Sequence, residues 1–157
     1  MKTLITPQEA VVLAFADGEY LPPETLTEVQ IKAAEERYIR PVTGRALYER
    51  LLEGAYEELR TEFAAPVLAI GVRCMVQPAL RMRLGACGAA MPDGAAWRAA
   101  SDTAFEDGCR SLKRQLSALV RRLSDELERR REAYPEYEPR ENVLNRCRIY
   151  GDLVQIL

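Results

Sequence analysis

Apolar residues recur at helical spacing through most of the chain. Residues three and four positions apart lie on the same side of an α-helix, and Leu47, Tyr48, Leu51 and Leu52 follow this spacing. Five leucines further along step by four, three, four and four residues, which predicts one long amphipathic helix. These are Leu112, Leu116, Leu119, Leu123 and Leu127. We therefore predict an all-α, single-domain bundle of about five helices that spans residues 1–137.

Capping residues predict where the first two helices begin. Thr6 precedes a proline, and proline is favoured at the first position of a helix because that position needs no N–H donor. Thr25 is followed three residues later by Glu28, which is the spacing of a capping box. We expect the first helix to end at Asp17-Gly18 and the second to begin after Thr25.

The second helix carries two apolar stripes, which predicts neighbours on two of its sides. One neighbour is the core of the domain, and the other is either a further part of the core or a second subunit. Three charged residues, Glu28, Lys32 and Glu35, are expected on the remaining face. The two stripes are Leu26, Val29 and Ala33, and Ile31, Ala34 and Tyr38.

The tetrapeptide Pro-Val-Thr-Gly interrupts the helical pattern after the second helix. Pro41 disfavours α-helical backbone angles at the preceding residue, so we predict that the helix ends at Arg40. Thr43 is suited to cap the next helix, and Gly44 permits a tight backbone turn. Together with Arg45, these residues predict a sharp structural corner that fixes the angle between two helices.

Residues 63–84 form an apolar central segment. A membrane-spanning helix needs about 20 apolar residues in succession, but Arg73, Gln77 and Pro78 interrupt this segment. We therefore predict a buried central helix with one polar stripe and a kink at Pro78, and no contact with a membrane. Residues 85–100, which are rich in small side chains, are predicted to form a loop.

The C-terminal part of the chain is predicted to contain one long helix, a linker and an extended apolar tail. Ser101 or Asp102 is suited to cap the helix, which should extend to about Ala133. Residues 138–157 are assigned to the linker and tail, and the tail must pack either on its own domain or on another chain. The candidate subunit interface consists of Ile149, Tyr150, Leu153, Val154, Ile156 and Leu157.

The composition gives little support for catalysis or for a bound cofactor. The chain has no histidine, which is the commonest general base and metal ligand. Its four cysteines include no Cys-x-x-Cys pair, and no phosphate-binding glycine loop or nucleophile elbow is present. We therefore predict that the protein is not an enzyme and binds neither a metal nor a cofactor.

Charge is distributed unevenly along the sequence. Residues 1–70 carry 7 basic and 12 acidic side chains, whereas residues 71–157 carry 15 basic and 12 acidic ones. The long helix is rich in arginine and could follow the phosphates of a nucleic acid. Its interleaved acidic residues reduce that positive field, so the charge pattern supports a polyanionic partner only weakly.

The stretch from Ile31 to Leu51, IKAAEERYIRPVTGRALYERL, resembles the head–tail connector proteins of tailed phages, also called head-completion or adaptor proteins, in their prophage-like form. The resemblance lies in the Thr43-Gly44-Arg45 corner and the Leu47-Tyr48 pair, and it continues in the order of the later helices. It implies a small helical subunit that forms a homo-oligomeric ring on the phage portal and contacts tail-side proteins. DNA would pass through that ring without sequence-specific contacts.

The resemblance also implies a location, namely the cytoplasm during assembly and then the virion. Ring subunits of this kind associate head to tail, so each one needs two different contact surfaces. The terminal segment is the expected arm between subunits. The alternative that the sequence leaves open is a helical adaptor outside any virion, which binds DNA or a protein partner.

Overall fold

The computed structural model describes residues 2–15, 21–86, 102–145, 147–150 and 153–156. These residues form an all-α domain followed by a small β-hairpin. Two π-helical turns, Glu35–Ile39 and Arg60–Ala64, join successive helices without a break in the helical backbone. The α-helices are α1 (Pro7–Ala14), α2 (Glu28–Ala34), α3 (Arg40–Glu53), α4 (Glu57–Leu59), α5 (Ala65–Ala86) and α6 (Asp102–Arg129).

The first predicted capping site is confirmed and the second lies two residues later than predicted. The Thr6 hydroxyl accepts a bond from the backbone N–H of Glu9, whose carboxylate in turn accepts the Thr6 N–H. Thr25 instead lies in a short 3₁₀ turn, and Thr27 caps α2 in a capping box with Gln30. Glutamine serves in this motif as well as glutamate, so the sequence contained both candidates. The predicted end of α1 at Asp17-Gly18 lies outside the described residues.

Helix α5 is the centre of the domain, as the apolar segment predicted. It packs against α1, α2 and α6, and Val67, Leu68 and Val72 on it are fully buried. The helix continues through Pro78 and ends at Ala86. The first two residues of the predicted loop therefore belong to α5, and the rest of that loop lies outside the described residues.

Helix α6 closes the core with the predicted leucine seam. Leu116, Leu123 and Leu127 are buried, and Leu119 packs partly buried against them. The α-helix ends at Arg129, a few residues before the predicted Ala133, because the last residues tighten into a 3₁₀ turn. Tightening of this kind is common at helix ends.

Residues 138–145 pack back onto the helical domain. Asn142 is fully buried, and its side-chain amide donates to the Ser124 hydroxyl at 2.8 Å and to the Tyr137 oxygen at 2.9 Å. The Tyr137 hydroxyl donates to Glu128, and burial together with this bond raises the pKa of Tyr137 to about 12. The chain therefore remains part of the domain up to Asn145, rather than leaving it as a linker after residue 137.

The tail forms an antiparallel hairpin of β1 (Cys147–Tyr150) and β2 (Leu153–Ile156). The backbone of the tail is extended, as predicted. The tail also folds back on itself, so that Ile149 lies opposite Val154. The register also pairs Cys147 with Ile156.

Glu136 connects the segment after α6 to the helix pair α3 and α4. Its carboxylate accepts bonds from the Tyr56 hydroxyl at 2.6 Å and from Arg50 at 3.1 Å. The bond from Tyr56, with a smaller effect of Arg50, lowers the pKa of Glu136 below its ordinary value. Since the folded-state pKa is lowered, the stabilisation exists above the ordinary pKa and is lost as the pH falls through the folded-state pKa.

We predict that Tyr56→Phe raises the pKa of Glu136 towards the ordinary value of a glutamate. The variant removes the hydrogen bond that favours the ionised carboxylate. A carboxyl-detected NMR titration measures the change directly. Tyr38→Phe, which removes a phenolic hydroxyl elsewhere on the domain, is the matched control and should leave the pKa of Glu136 unchanged. Equal titration of Glu136 in wild type and Tyr56→Phe would contradict the prediction.

Candidate functional site

The predicted corner exists, but it lies at Gly44 rather than at Arg40. Arg40 keeps α-helical angles (φ −55°, ψ −39°), and its N–H donates to the carbonyl of Glu35, five residues earlier. In a regular helix the ring of Pro41 would clash with the carbonyl four residues before it. The wider π-turn immediately before Pro41 accounts for the continuation of the helix. The direction changes at Gly44, where φ is 75° and ψ is 174°.

Thr43 does not cap the helix that follows the corner. Its hydroxyl is buried and donates back to the carbonyl of Ile39 at 3.1 Å. The capping function belongs instead to Glu141, whose carboxylate accepts the backbone N–H of Arg45 at 3.0 Å. A carboxylate is favourable at this position because the start of a helix carries partial positive charge. No local pattern in the sequence indicates this partner, because Glu141 lies 96 residues after Arg45.

An open groove of about 450 Å³ lies along the corner. Three of the four predicted corner residues line it, and Thr43 is buried behind them. The other wall comes from the C-terminal segment, so the fold brings together two regions that the sequence analysis treated separately. The lining residues are Glu36, Arg40, Pro41, Gly44, Arg45, Glu141 and Val143.

Apolar side chains are exposed on α1, on α2 and beside the corner groove. Val29 on α2 is 69% exposed, and Ala33, one turn further on, is also exposed. Ala33 lies one turn before Glu36, so this stripe of α2 leads towards the groove. The second predicted stripe, with Ile31 and Ala34, is buried in the core. The other large apolar side chains that are exposed in the described part of the chain are Val12, Leu13, Val143 and Leu144.

The prediction of two apolar stripes on α2 is therefore confirmed for the stripe that contains Ile31. The residues of the other stripe are partly buried in the core and partly exposed. Leu26, which precedes the helix, is buried in the core. Val29 and Ala33 contribute an apolar surface that the described part of the domain leaves open. We call Val29 and Ala33 the outer stripe.

Glu35 was predicted on a charged outer face, and the structure instead buries it completely. Its carboxylate accepts the Tyr48 hydroxyl at 2.7 Å and the backbone N–H of Leu4 at 2.5 Å. Lys32 lies 3.2 Å from the same carboxylate and also bonds to the Tyr48 oxygen. Burial, with the bond to Glu35, raises the pKa of Tyr48 above its ordinary value. These contacts form a closed polar cluster of Glu35, Tyr48, Lys32 and the Leu4 N–H.

The polar cluster has the features of a structural site. Each oxygen of Glu35 has a protein partner, so a buried charge is paired and hydrogen-bonded as burial requires. None of its three side chains lines the corner groove. The cluster holds α2, α3 and the N-terminal segment together.

The predicted tail interface lies mostly in the hairpin. Ile149 and Tyr150 belong to β1, and Leu153, Val154 and Ile156 belong to β2. Leu157 lies outside the described residues. The structure does not join these strands to the corner residues in one site, although Val143, a few residues before β1, lines the corner groove.

Within the described ranges, no group of three or more histidine, cysteine or acidic side chains is arranged to hold a metal ion. The helices in those ranges are also too short or too polar to cross a membrane. Comparisons of the chain with models of protein families, with curated proteins and with solved structures find no match. Function must therefore be inferred from the residues and their arrangement.

Proposed function

We propose that the chain is a structural subunit of a phage or prophage head–tail connector. Such a subunit forms a ring on the portal, through which DNA passes and to which the tail attaches. The sequence resemblance at residues 31–51 motivates the proposal. The observation that supports it most is the outer stripe of α2, which lies exposed at the end of the helix that leads into the corner groove.

A head-to-tail ring requires two different complementary surfaces on each subunit. The outer stripe with the corner groove supplies one candidate surface. The hairpin supplies the other, because most residues of its two strands are apolar. A two-stranded hairpin alone is only marginally stable in water, so contact with a neighbouring subunit would stabilise it. We therefore propose that the hairpin of one subunit packs against the next subunit in the ring.

The test is the solution mass across a wide concentration range, by light scattering, with electron micrographs of any large species. We predict closed rings for the wild type, either alone or after addition of its portal protein. Val29→Glu should prevent ring formation without changing the melting temperature, because Val29 is already exposed in the subunit. Gln115→Glu adds the same charge at an exposed position of α6 and should leave the rings intact.

A chain that remains monomeric at all concentrations and with portal present would contradict the connector proposal. That result would favour the helical adaptor. Rings that form equally well with Val29→Glu would preserve the connector but exclude the outer stripe as its contact surface.

A further inference from the structure

The exposed face of α6 carries a run of basic residues that no acidic residue interrupts. From Gly108 to Ser124 the sequence contains five cationic side chains and no aspartate or glutamate. The interleaved acidic residues noted in the sequence lie outside this stretch, and those on its C-terminal side begin at Asp125. We call the five residues the basic stripe: Arg110, Lys113, Arg114, Arg121 and Arg122.

Helical geometry places three residues of the basic stripe on the side opposite the leucine seam, and the other two lie on the two flanks of that side. Arg110, Arg114 and Arg121 are spaced by four and seven residues, which places them within about 40° of one another around the helix axis. They span about 16 Å along the axis, at about 1.5 Å per residue. Of the five residues, only Arg110 has an ion-pair partner within the described residues, namely Asp107.

The remaining cations of the stripe form no ion pair with the described residues, although Asp125 lies one turn after Arg121 and lines the same groove as Arg121 and Arg122. Lys113, Arg114 and Arg121 are exposed, and no hydrogen bond or ion pair joins their side chains to the part of the chain that the structure describes. The Arg122 guanidinium lies over the ring of Phe63 at 4.8 Å, which orients it without removing its charge. At the C-terminal end of the helix the pattern differs, because Glu126 binds Arg129 and Arg130.

We infer that the basic stripe binds the phosphate backbone of double-stranded DNA without reading its sequence. Duplex DNA carries one charge per about 1.7 Å of its axis with both strands counted, so a duplex segment as long as the stripe carries about ten phosphates, some of which face the helix. Arginine, lysine and small polar side chains make most contacts of this type. Small or polar residues, such as Ser111, Gln115 and Ser117, lie between the cations on the exposed surface.

The composition of the stripe favours DNA over an acidic protein partner. Stable protein interfaces are centred on buried apolar or aromatic residues. The exposed residues between Arg110 and Arg121 include no large apolar side chain: Leu116 and Leu119 pack in the core, and Leu112 is half-buried. The inference does not depend on ring formation, since a single subunit already carries the whole stripe. In a connector, the same face would contact the DNA that passes through.

The test is fluorescence anisotropy of a labelled random-sequence duplex of about 20 base pairs, titrated with the full chain at several salt concentrations. Arg114→Gln/Arg121→Gln should weaken binding at least tenfold at about 50 mM salt. Each lost phosphate contact makes the negative slope of log K against log salt shallower by about 0.9, so the two substitutions should make it shallower by about 1.8. Arg37→Gln/Arg131→Gln is the matched control, with the same change in net charge at exposed positions outside the stripe.

Salt-dependent binding that the stripe variant loses and the control variant keeps would establish the inference. No binding by the wild type at low salt would overturn it, and so would equal weakening in both variants. If polyglutamate displaces the duplex at the same concentration of charge, the stripe instead favours acidic proteins, which also overturns the inference. Light scattering on the same samples reports ring formation independently, so failure of the connector proposal would be seen separately.

Discussion

Gly44→Val is expected to lower the free energy of unfolding by about 3 kcal/mol or more, because two separate costs combine at this position. The backbone angles of Gly44 (φ 75°, ψ 174°) lie in a region that is essentially restricted to glycine. A Cβ at this position would also collide with the carboxylate of Glu141 and lie 3.3 Å from its Cβ. Glu141 cannot simply move away, since it caps the helix that begins at Arg45.

Urea denaturation of the monomeric protein, followed by far-ultraviolet circular dichroism, measures this effect. Gly54→Ala has the backbone cost alone, because Gly54 also has a positive φ (95°) but open space around it. Gly108→Ala has neither cost and should stabilise α6 by about 0.5–1 kcal/mol. From the most to the least stable, we therefore expect the order Gly108→Ala, wild type, Gly54→Ala, Gly44→Val.

A double variant separates the collision at the corner from the backbone strain. Glu141→Ala removes the carboxylate with which a side chain at position 44 would collide. Gly44→Ala should therefore lower the free energy of unfolding less in a Glu141→Ala background than in the wild type. In the wild type, Glu141→Ala removes a cap and leaves the Arg45 N–H without its acceptor. Additive effects of the two substitutions would show that Glu141 is not in contact with the corner.

The location of the corner shows what the sequence could and could not predict. Pro41 and Gly44 predicted a change of helix direction, and the change occurs within the Pro-Val-Thr-Gly tetrapeptide that contains them. The prediction at Arg40 was wrong because it considered only the local preference of a residue before proline. The π-turn before Pro41 offers a second way to accommodate the ring. That choice depends on tertiary packing, which buries Ile39 and Val42 in the core.

The burial of Glu35 was beyond sequence reasoning for a related reason. Glu35 and Glu36 are adjacent, so a helix directs them to different sides, and the sequence predicted this much. Nothing local distinguishes the glutamate that faces the core from the one that faces water. The distinguishing feature is a set of partners brought by other elements: the Leu4 N–H and the Tyr48 hydroxyl. The nearest available signal was Lys32, three residues earlier on the same face.

The stretch that resembles connector proteins, residues 31–51, contains two residues that form a hydrogen bond with each other in the structure. Glu35 and Tyr48 lie on the two sides of the Gly44 corner and are joined by a hydrogen bond across it. The corner angle therefore depends on a buried polar contact as well as on glycine. If the corner sets the angle of the outer stripe relative to the core, then loss of this contact should disturb both stability and assembly.

Glu35→Ala is expected to destabilise the protein by about 3–5 kcal/mol, because each buried donor that is left without an acceptor costs about 1–3 kcal/mol. The substitution leaves the Tyr48 hydroxyl, the Leu4 N–H and the Lys32 ammonium without their shared acceptor. Glu35→Gln should cost less, because an amide oxygen can still accept one of these bonds. Urea denaturation gives both values.

Hydrogen exchange adds a local measurement that a general loss of stability would not reproduce. The Leu4 N–H is buried and bonds directly to Glu35, so under native conditions its exchange should accelerate more than that of amides in the centre of α5. Glu36→Ala is the matched control: the same change at the adjacent residue removes only an exposed pair with Arg40. It should alter neither the free energy of unfolding nor the exchange of Leu4. If the two alanine variants are equally stable, then the polar cluster does not hold the corner and the N-terminal segment together.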